Sequence, residues 1–295
     1  MHTSVRPSPP TTASTHGILD PGRAQRTFGL ERIAPEPDVG RWIERTWTTW
    51  WDLPPGVEHR QAILPHPCVN LVVYPAVAEV AAPDALPGPA AEPMRTVVMV
   101  HGIVRGVDTR RLRGRGRAVG VTFRPGAFSA LSSLGPDRLA ERPVTLAEAF
   151  GPGGAELAAE LVDRADDPSA VAEAVADLVR DRAPDEDPGL DLLHAVIADM
   201  LRRGPRGRVI AVAADHGVSV RTLQRLFRAR VGVGPKWVMQ RHRVHEAATR
   251  IATEGVDLAA LAVDLGYTDQ AHMTGDFRAA VGMTPAAYAR ACRAG

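Results

Sequence analysis

LFRARVGVGP, residues 226–235, returns as DFRAAVGMTP at residues 276–285. Six of the ten positions are identical, and Phe227, Arg228, Gly232 and Pro235 recur as Phe277, Arg278, Gly282 and Pro285, an offset of 50. Two copies cannot bury the continuous core of a repeat array, which needs three or more units. One duplication points instead to two equivalent tools held side by side.

Extended upstream, the first copy reads VIAVAADHGVSVRTLQRLFRARVGVGP from Val209. Val209 to Asp215 predict a short amphipathic helix, and Gly217 can take the left-handed conformation that ends it. Ser219 then caps a second helix running to about Val231, with Leu223, Leu226 and Phe227 inward. Helix, glycine turn and capped helix form a helix-turn-helix signature. The second copy, LAALAVDLGYTDQAHMTGDFRAAVGMTP from Leu258, repeats the pattern. Gly266 stands 49 residues after Gly217, so its turn is one residue longer. Between the copies, PKWVMQRHRVHEAATRIA predicts one long helix with Val238, Val244, Ala247, Ala248 and Ile251 available for burial. A rigid connection matters because successive major-groove segments on one DNA face lie about 34 Å apart.

The charge distribution supports a polyanionic partner for the first copy. The whole chain of 295 residues carries only +1. From Arg206 to Arg250, however, ten Lys/Arg face two acids, Asp215 and Glu246, a local +8. From Ile251 onward three Arg face five acids, a local −2. With Leu223, Leu226 and Phe227 inward, Arg221, Gln224, Arg225 and Arg228 fall on the open face. Arg pairs bidentately with guanine and Gln with adenine, so Arg221, Gln224 and Arg225 have base-reading chemistry. Arg228 and Arg230 suit phosphate contact. In the second copy Asp269 predicts a cap, Gln270 and His272 can reach bases, and Thr274 can reach phosphate.

These motifs carry a family resemblance. Through SVRTLQRLFRARVGVGPKWV and LAVDLGYTDQAHMTGDFRAAVGMTPAAY, residues 195–294 resemble the DNA-binding domain of the AraC family of bacterial transcription regulators. The resemblance implies a sequence-specific regulator of double-stranded promoter DNA. It also favours Arg221, Gln224 and Arg225 as base contacts. At Gly275 this chain departs from relatives that carry a long polar or basic residue there. LPHPCVNLVVYP and GVTFRPGAF resemble a β-rich sensor region found before this module in some such regulators. The expected partners are DNA, a small-molecule effector, RNA polymerase in the case of an activator, and a second copy of the chain as a homodimer.

Upstream the periodicity differs. Val69 to Tyr74, RTVVMVHGIV (95–104) and RAVGVTF (117–123) are short apolar runs bounded by Gly, Pro or charge, and predict strands. Residues 75–94, rich in Ala and Pro, predict a long loop. RWIERTWTTWWDLPPG places four tryptophans, Trp42, Trp47, Trp50 and Trp51, in ten positions, as core, dimer surface or ligand cage. From Thr145 the pattern turns helical. Thr145 with Glu148 predicts a capping box. Asp167-Pro168 and Asp187-Pro188 each predict a helix start. The expected fold class is α+β. It comprises a disordered tail (1–27), a β-rich sensor or dimerisation domain (28–148), a helical connector (149–190) and an all-α DNA-binding domain (191–295). DRAPDEDPG (181–189) reads as the linker.

Trp47, His66, Cys68, His101 and Arg124 are the candidate effector-binding residues of the first domain. His66, Cys68 and His101 are also soft-ligand types, but the paired His and Glu pattern of metal-binding cupins is missing, so no metal or cofactor is expected. His66-Pro67 could equally shape a turn, Cys68 fill a core, and Arg124 bind a carbonyl-rich turn. No Ser/His/Asp motif or phosphate loop points to catalysis. The rival reading is a hydrolytic or metal-dependent enzyme, or an alkyl-acceptor DNA-repair protein, fused to the helix-turn-helix module. An alkyl acceptor needs a low-pKa cysteine in a cationic setting, and Cys68 and Cys292 are the two thiols available. No apolar run reaches 18 residues and no signal-peptide h-region is present, so a cytoplasmic location is expected.

Overall fold

The computed structural model describes residues 11–12, 17–75, 96–204, 208–253 and 255–294. The expected loop at 75–94 falls almost wholly outside them. Strand β1 (Thr11–Thr12) and helix α1 (Pro21–Thr27) open the fold. Six strands follow: β2 (Phe28–Ile33), β3 (Ile43–Asp52), β4 (Glu58–Ile63), β5 (Asn70–Pro75), β6 (Thr96–His101) and β7 (Asp108–Arg113). Strand β8 (Arg115–Phe123), helices α2 (Phe128–Leu131) and α3 (Pro136–Glu141), and strand β9 (Val144–Thr145) complete the β-rich region. Helices α4 (Leu146–Phe150), α5 (Pro152–Asp163), α6 (Pro168–Arg182) and α7 (Pro188–Arg203) form the connector. The C-terminal region holds α8 (Val209–Asp215), α9 (Val220–Arg230), α10 (Pro235–Thr253), α11 (Leu258–Asp264), α12 (Gln270–Val281) and α13 (Pro285–Ala294).

Seven strands pair antiparallel in the order β1-β2-β3-β8-β5-β6-β9, and β4 pairs with β7 as a separate two-stranded sheet. The period-2 alternation of strands sorts the large sheet into two faces. Leu71, Val73, Val98, Val100, Val119, Val121 and Phe123 turn to the helices and are buried. The opposite face carries Trp47 and Trp51, and each has a glycine as its cross-strand neighbour, Trp47 facing Gly120 and Trp51 facing Gly116. A Cβ at Gly120 would lie 2.1 Å from the Trp47 ring, and one at Gly116 2.3 Å from Trp51. Only glycine therefore lets these indoles lie against the sheet. Trp51 Nε1 donates to Arg113 O at 3.1 Å, which ties the large sheet to the β4–β7 pair.

The local helix signals are realised. Thr145 and Glu148 form the capping box, with Glu148 N donating to Thr145 Oγ1 at 3.1 Å and Thr145 N to Glu148 Oε2 at 2.8 Å. Asp167 caps α6 and Asp187 caps α7, each followed by proline at the first helical position. One apolar core runs from the sheet (Val100, Phe123) through Phe128, Val175 and Leu193 to Val212, Leu223, Phe227 and Val238. It crosses residues 148 and 190 without a break. A second core joins Val244, Leu261, Met273, Phe277 and Tyr288 to Leu19 and Leu64 from the N-terminal region.

Two expectations are corrected here. Residues 17–27 are not tail: Asp20 caps α1, Ala24 is buried, and Leu19 inserts into the second core. Residues 1–10 and 13–16 of the expected tail lie outside the described residues. The 181–189 stretch is not a loose linker either. Asp187 is 7% exposed. Its Oδ1 accepts from Leu190 N at 3.0 Å and from Arg230 Nη2 at 2.9 Å. Arg41 donates to the carbonyls of Asp185 and Asp187 and pairs with Asp191 at 2.9 Å. Asp187 is the acid of this segment whose carboxylate meets an arginine, Arg230, while Asp181, Asp185 and Glu186 are exposed.

Replacing Asp187 by Ala removes a helix cap and strands the Arg230 guanidinium. The expected cost is about 2 kcal/mol of unfolding free energy. Urea denaturation of the full-length variant checks it, and an unchanged midpoint would show that this carboxylate does not anchor the segment.

Candidate nucleic-acid interface and sensor cavity

Each helix-turn-helix unit is built by short-range chemistry. In the first, Val212 and Ala213 of α8 pack into the core, Gly217 takes φ +65°, and Ser219 Oγ accepts from Thr222 N at 3.0 Å to start α9. Residues 216–219 make the turn. In the second, Leu261 and Ala262 of α11 are buried, Gly266 takes φ +69°, and Asp269 Oδ1 accepts from His272 N at 2.8 Å. Here residues 265–269 make the turn, one residue longer as expected. Leu223 and Phe227 in α9, and Met273 and Phe277 in α12, are fully buried. Leu226 is only half-buried.

Burial of that stripe leaves Arg221, Gln224, Arg225 and Arg228 exposed on α9, with no acid in the helix. Arg230, expected on phosphate, is instead turned inward onto Asp187. The Asp187 carboxylate, with a side chain 8% exposed, holds it by a charge-assisted hydrogen bond. On α12, Gln270 and His272 are exposed and Thr274 is half-buried. His272 rests edge-on against Tyr267 at 5.2 Å between ring centroids, with Asp276 4.0 Å from its Nε2. A side chain at Gly275 would meet open space. Arg278, the repeat counterpart of Arg228 at the 50-residue offset, is exposed on α12.

Helix α10 joins the units and also meets the N-terminal region. Arg241 is 3% exposed, lies 4.6 Å over the Trp237 ring, and donates to Arg105 O. Burial pulls its pKa down to about 10. His245 Nε2 donates to Pro65 O at 3.4 Å and its ring stacks on His66 at 4.0 Å. From α13, the Tyr288 hydroxyl accepts from Asp20 N at 3.3 Å.

Between the tryptophan face of the large sheet and the β4–β7 pair lies a cavity of about 230 Å³. Four of the five candidate effector residues line it: Trp47, His66, Cys68 and His101. Arg124 does not. Its Nε donates to Gly40 O at 2.6 Å, so the carbonyl-turn alternative is the one realised. Trp42 and Trp51 are buried, whereas Trp50 is 44% exposed. Burial and the neighbouring Glu44 push the Cys68 thiol well up, and burial also raises Cys292. Both shifts oppose the thiolate that an alkyl acceptor requires. Among the described residues no group of three His, Cys, Asp or Glu is placed to hold a metal ion. None of the described helices is long and apolar enough to cross a membrane.

His101 carries a pH signature. Burial, then the Arg110 charge, lower its pKa to about 3, against about 6.5 in an unfolded chain. The unfolded state therefore binds more protons between these values, and stability falls as pH drops from 6.5 towards 3. His194 and His242 are lowered by burial and act in the same direction. Melting temperatures across pH 4–7 are expected to fall less steeply on acidification for His101→Gln than for the parent. Parallel curves would show that His101 is not held neutral.

The helix-turn-helix domain family matches residues 212–291, and a domain of unknown function (DUF6597) matches residues 31–145. No curated protein matches the chain. Among solved structures, the chain is similar to the DNA-binding domain of AdpA in complex with a target DNA, at 28% identity. That likeness covers 37% of this chain and 96% of that one, with a TM-score of 0.32. It is similar to the C-terminal domain of the response regulator AraT from Geobacillus stearothermophilus at 19% identity, covering 37% and 88%, with a TM-score of 0.34. It is also similar to unsaturated fatty acid-bound ToxT from Vibrio cholerae at 10% identity, covering 83% and 94%, with a TM-score of 0.39. The matched segment at 212–291 spans both recognition helices, α9 and α12, and the whole helix that joins them; the chain is a DNA-binding transcription regulator with the AraC-type helix-turn-helix domain.

Proposed function

We propose that this regulator reads two consecutive major-groove segments of promoter DNA, with α9 as the principal reader. The observation that carries this reading is the exposed face of α9, where Arg221, Gln224, Arg225 and Arg228 stand together without an acid in the helix. Arg221, Gln224 and Arg225 contact base edges, and Arg228 contacts phosphate. Helix α12 contributes fewer contacts, with Gln270 and His272 at bases and Thr274 at phosphate. Its capping acid, the nearby Asp276 and the bare Gly275 give it less charge and less reach. Arg230 positions α9 against the connector rather than touching DNA.

The N-terminal region serves as the sensor: a small-molecule effector enters the cavity beside Trp47, and the state of that cavity reaches α10 through His66. The protein acts in the cytoplasm as a homodimer formed by its N-terminal region, and RNA polymerase is a partner where it activates. Its role is binding rather than catalysis.

The test uses the full chain and a duplex selected from a randomised pool, with a scrambled duplex as control, across a salt series. Arg221→Ala and Arg225→Ala are expected to weaken the selected duplex by about 1–3 kcal/mol and to relax specificity at one base position each. Gln270→Ala is expected to cost less. Arg228→Ala weakens both duplexes alike and lowers the salt slope by about one contact, whereas Arg230→Ala leaves the slope unchanged. If Gln270→Ala proves the most damaging, or the two α9 arginines leave specificity intact, α9 is not the principal reader.

A further inference from the structure

The internal repeat allows the two recognition helices to be compared position by position. At the offset of 50, Leu223 corresponds to Met273, Phe227 to Phe277 and Val231 to Val281, and all of these are buried. Arg221, Arg225 and Arg228 correspond to Ala271, Gly275 and Arg278, and all of these are exposed. The shared burial pattern fixes the register. Ala271 and Gly275 therefore occupy on α12 the places that Arg221 and Arg225 occupy on α9, while Arg278 keeps the cation of Arg228.

The chemistry of the two faces differs in kind. The first offers two guanidinium forks, which match the O6 and N7 acceptors of guanine. The second offers a methyl group and bare backbone. From Gln270 to Gly275 there is no arginine or lysine. Asp269, the acid at the helix start, is engaged as the cap by the His272 N–H at 2.8 Å. The His272 ring rests edge-on against Tyr267. A G·C pair opposite Ala271 and Gly275 thus meets neither a cation for guanine nor a free carboxylate for cytosine. The C5-methyl of thymine, in contrast, projects into the major groove and packs well against alanine. Gln270, exposed at the start of α12, carries the amide that pairs with adenine N6 and N7.

Gly275 has no internal reason to be glycine. Its backbone is not left-handed, and a Cβ there would meet nothing within 4 Å. Gly154 of α5 shows the contrast, because a Cβ at that position would lie 2.0 Å from Leu146 O. Glycine inside a helix is destabilising relative to alanine, and an uncrowded one suits a backbone that comes close to a ligand. With nothing at 275 and a single methyl at 271, α12 can settle deeper into its groove than α9.

We propose that α12 reads its groove segment through thymine methyl groups, packed on Ala271 and on the bare backbone at Gly275, with Gln270 on an adjacent adenine. The operator then has two chemically different halves, one containing guanine under α9 and one of A·T pairs under α12. The proposal rests on the reading that α9 and α12 enter consecutive grooves, and it names the bases that the second groove supplies.

The experiment uses the full chain and the duplex selected from a randomised pool. The position relaxed by Arg225→Ala marks the α9 segment, and the α12 segment lies about 10–10.5 base pairs away. Deoxyuridine then replaces thymine one position at a time, which removes the C5-methyl and keeps every pairing group. At least one replacement in the α12 segment is expected to weaken binding about threefold to fourfold, the worth of one buried methyl group. Replacements in the α9 segment are expected to cost less than about twofold, because guanidinium contacts do not use that methyl. Ala271→Gly is expected to erase the uracil penalty. Gly275→Leu is expected to keep or raise the melting temperature of the free protein, yet to weaken the selected duplex at least about fivefold. A G·C-rich α12 segment, no uracil penalty within it, a penalty that survives Ala271→Gly, or full binding by Gly275→Leu would overturn the proposal. Hydroxyl-radical protection of the same duplexes separates the two levels of failure. No protection in the second segment means that α12 is off the DNA and the two-groove reading falls, whereas protection without a uracil penalty removes the thymine assignment alone.

Discussion

Helix α10 is packed from several directions, and the rest of the molecule depends on that packing. Near its start, Val238 and Met239 close the core of the first helix-turn-helix unit. Further along, Val244, Ala247, Ala248 and Ile251 close the core of the second. The two sets occupy different stretches of one continuous 19-residue helix, so the relation between α9 and α12 is fixed by a rod rather than a tether. Burying apolar side chains in this way contributes roughly 1.5–3 kcal/mol for each large residue. Among the described residues no exposed ion pair rivals that contribution. Bending α10 to change the recognition spacing would have to open one of the two cores.

The same helix is also the place where the N-terminal region takes hold. Arg241 reaches Arg105 O, and His245 meets both Pro65 O and the His66 ring. Leu19 and Leu64 enter the second core beside it. The connector adds a second tie, because Asp187 caps α7 and holds Arg230 of α9 with the same oxygen. The N-terminal region and the helix-turn-helix units therefore share buried groups instead of meeting at a solvated hinge. The Pro65–Cys68 turn, which lines the cavity, touches α10 directly through the His66–His245 stack.

Local chemistry is what the sequence made legible. The capping box at Thr145, the Asp-Pro helix starts, the glycine turns at Gly217 and Gly266, and the inward stripe of α9 are all written within about five residues. The strands at 70–75, 96–101 and 115–123 showed as apolar runs. What escaped was long-range. Arg230 reads as a phosphate contact from its helix alone, because nothing near it in sequence announces a carboxylate 43 positions away. The tryptophan–glycine pairs need the β3–β8 register. Helix α1 is hidden for a different reason: Asp20-Pro21 is the same start signal used at 167 and 187, but a polar, proline-rich surrounding masks it. Arg124 reads equally as an effector contact or as the partner of a carbonyl-rich turn, and the carbonyl that decides between them lies 84 residues upstream.

The central claim is that one rigid helix presents two recognition helices to consecutive grooves on one face of DNA. Hydroxyl-radical footprinting of the full chain on a selected duplex measures this most directly. The account predicts two protected segments centred about 10–10.5 base pairs apart and lying on the same face. A single protected segment, or two at a spacing that places them on opposite faces, would contradict it.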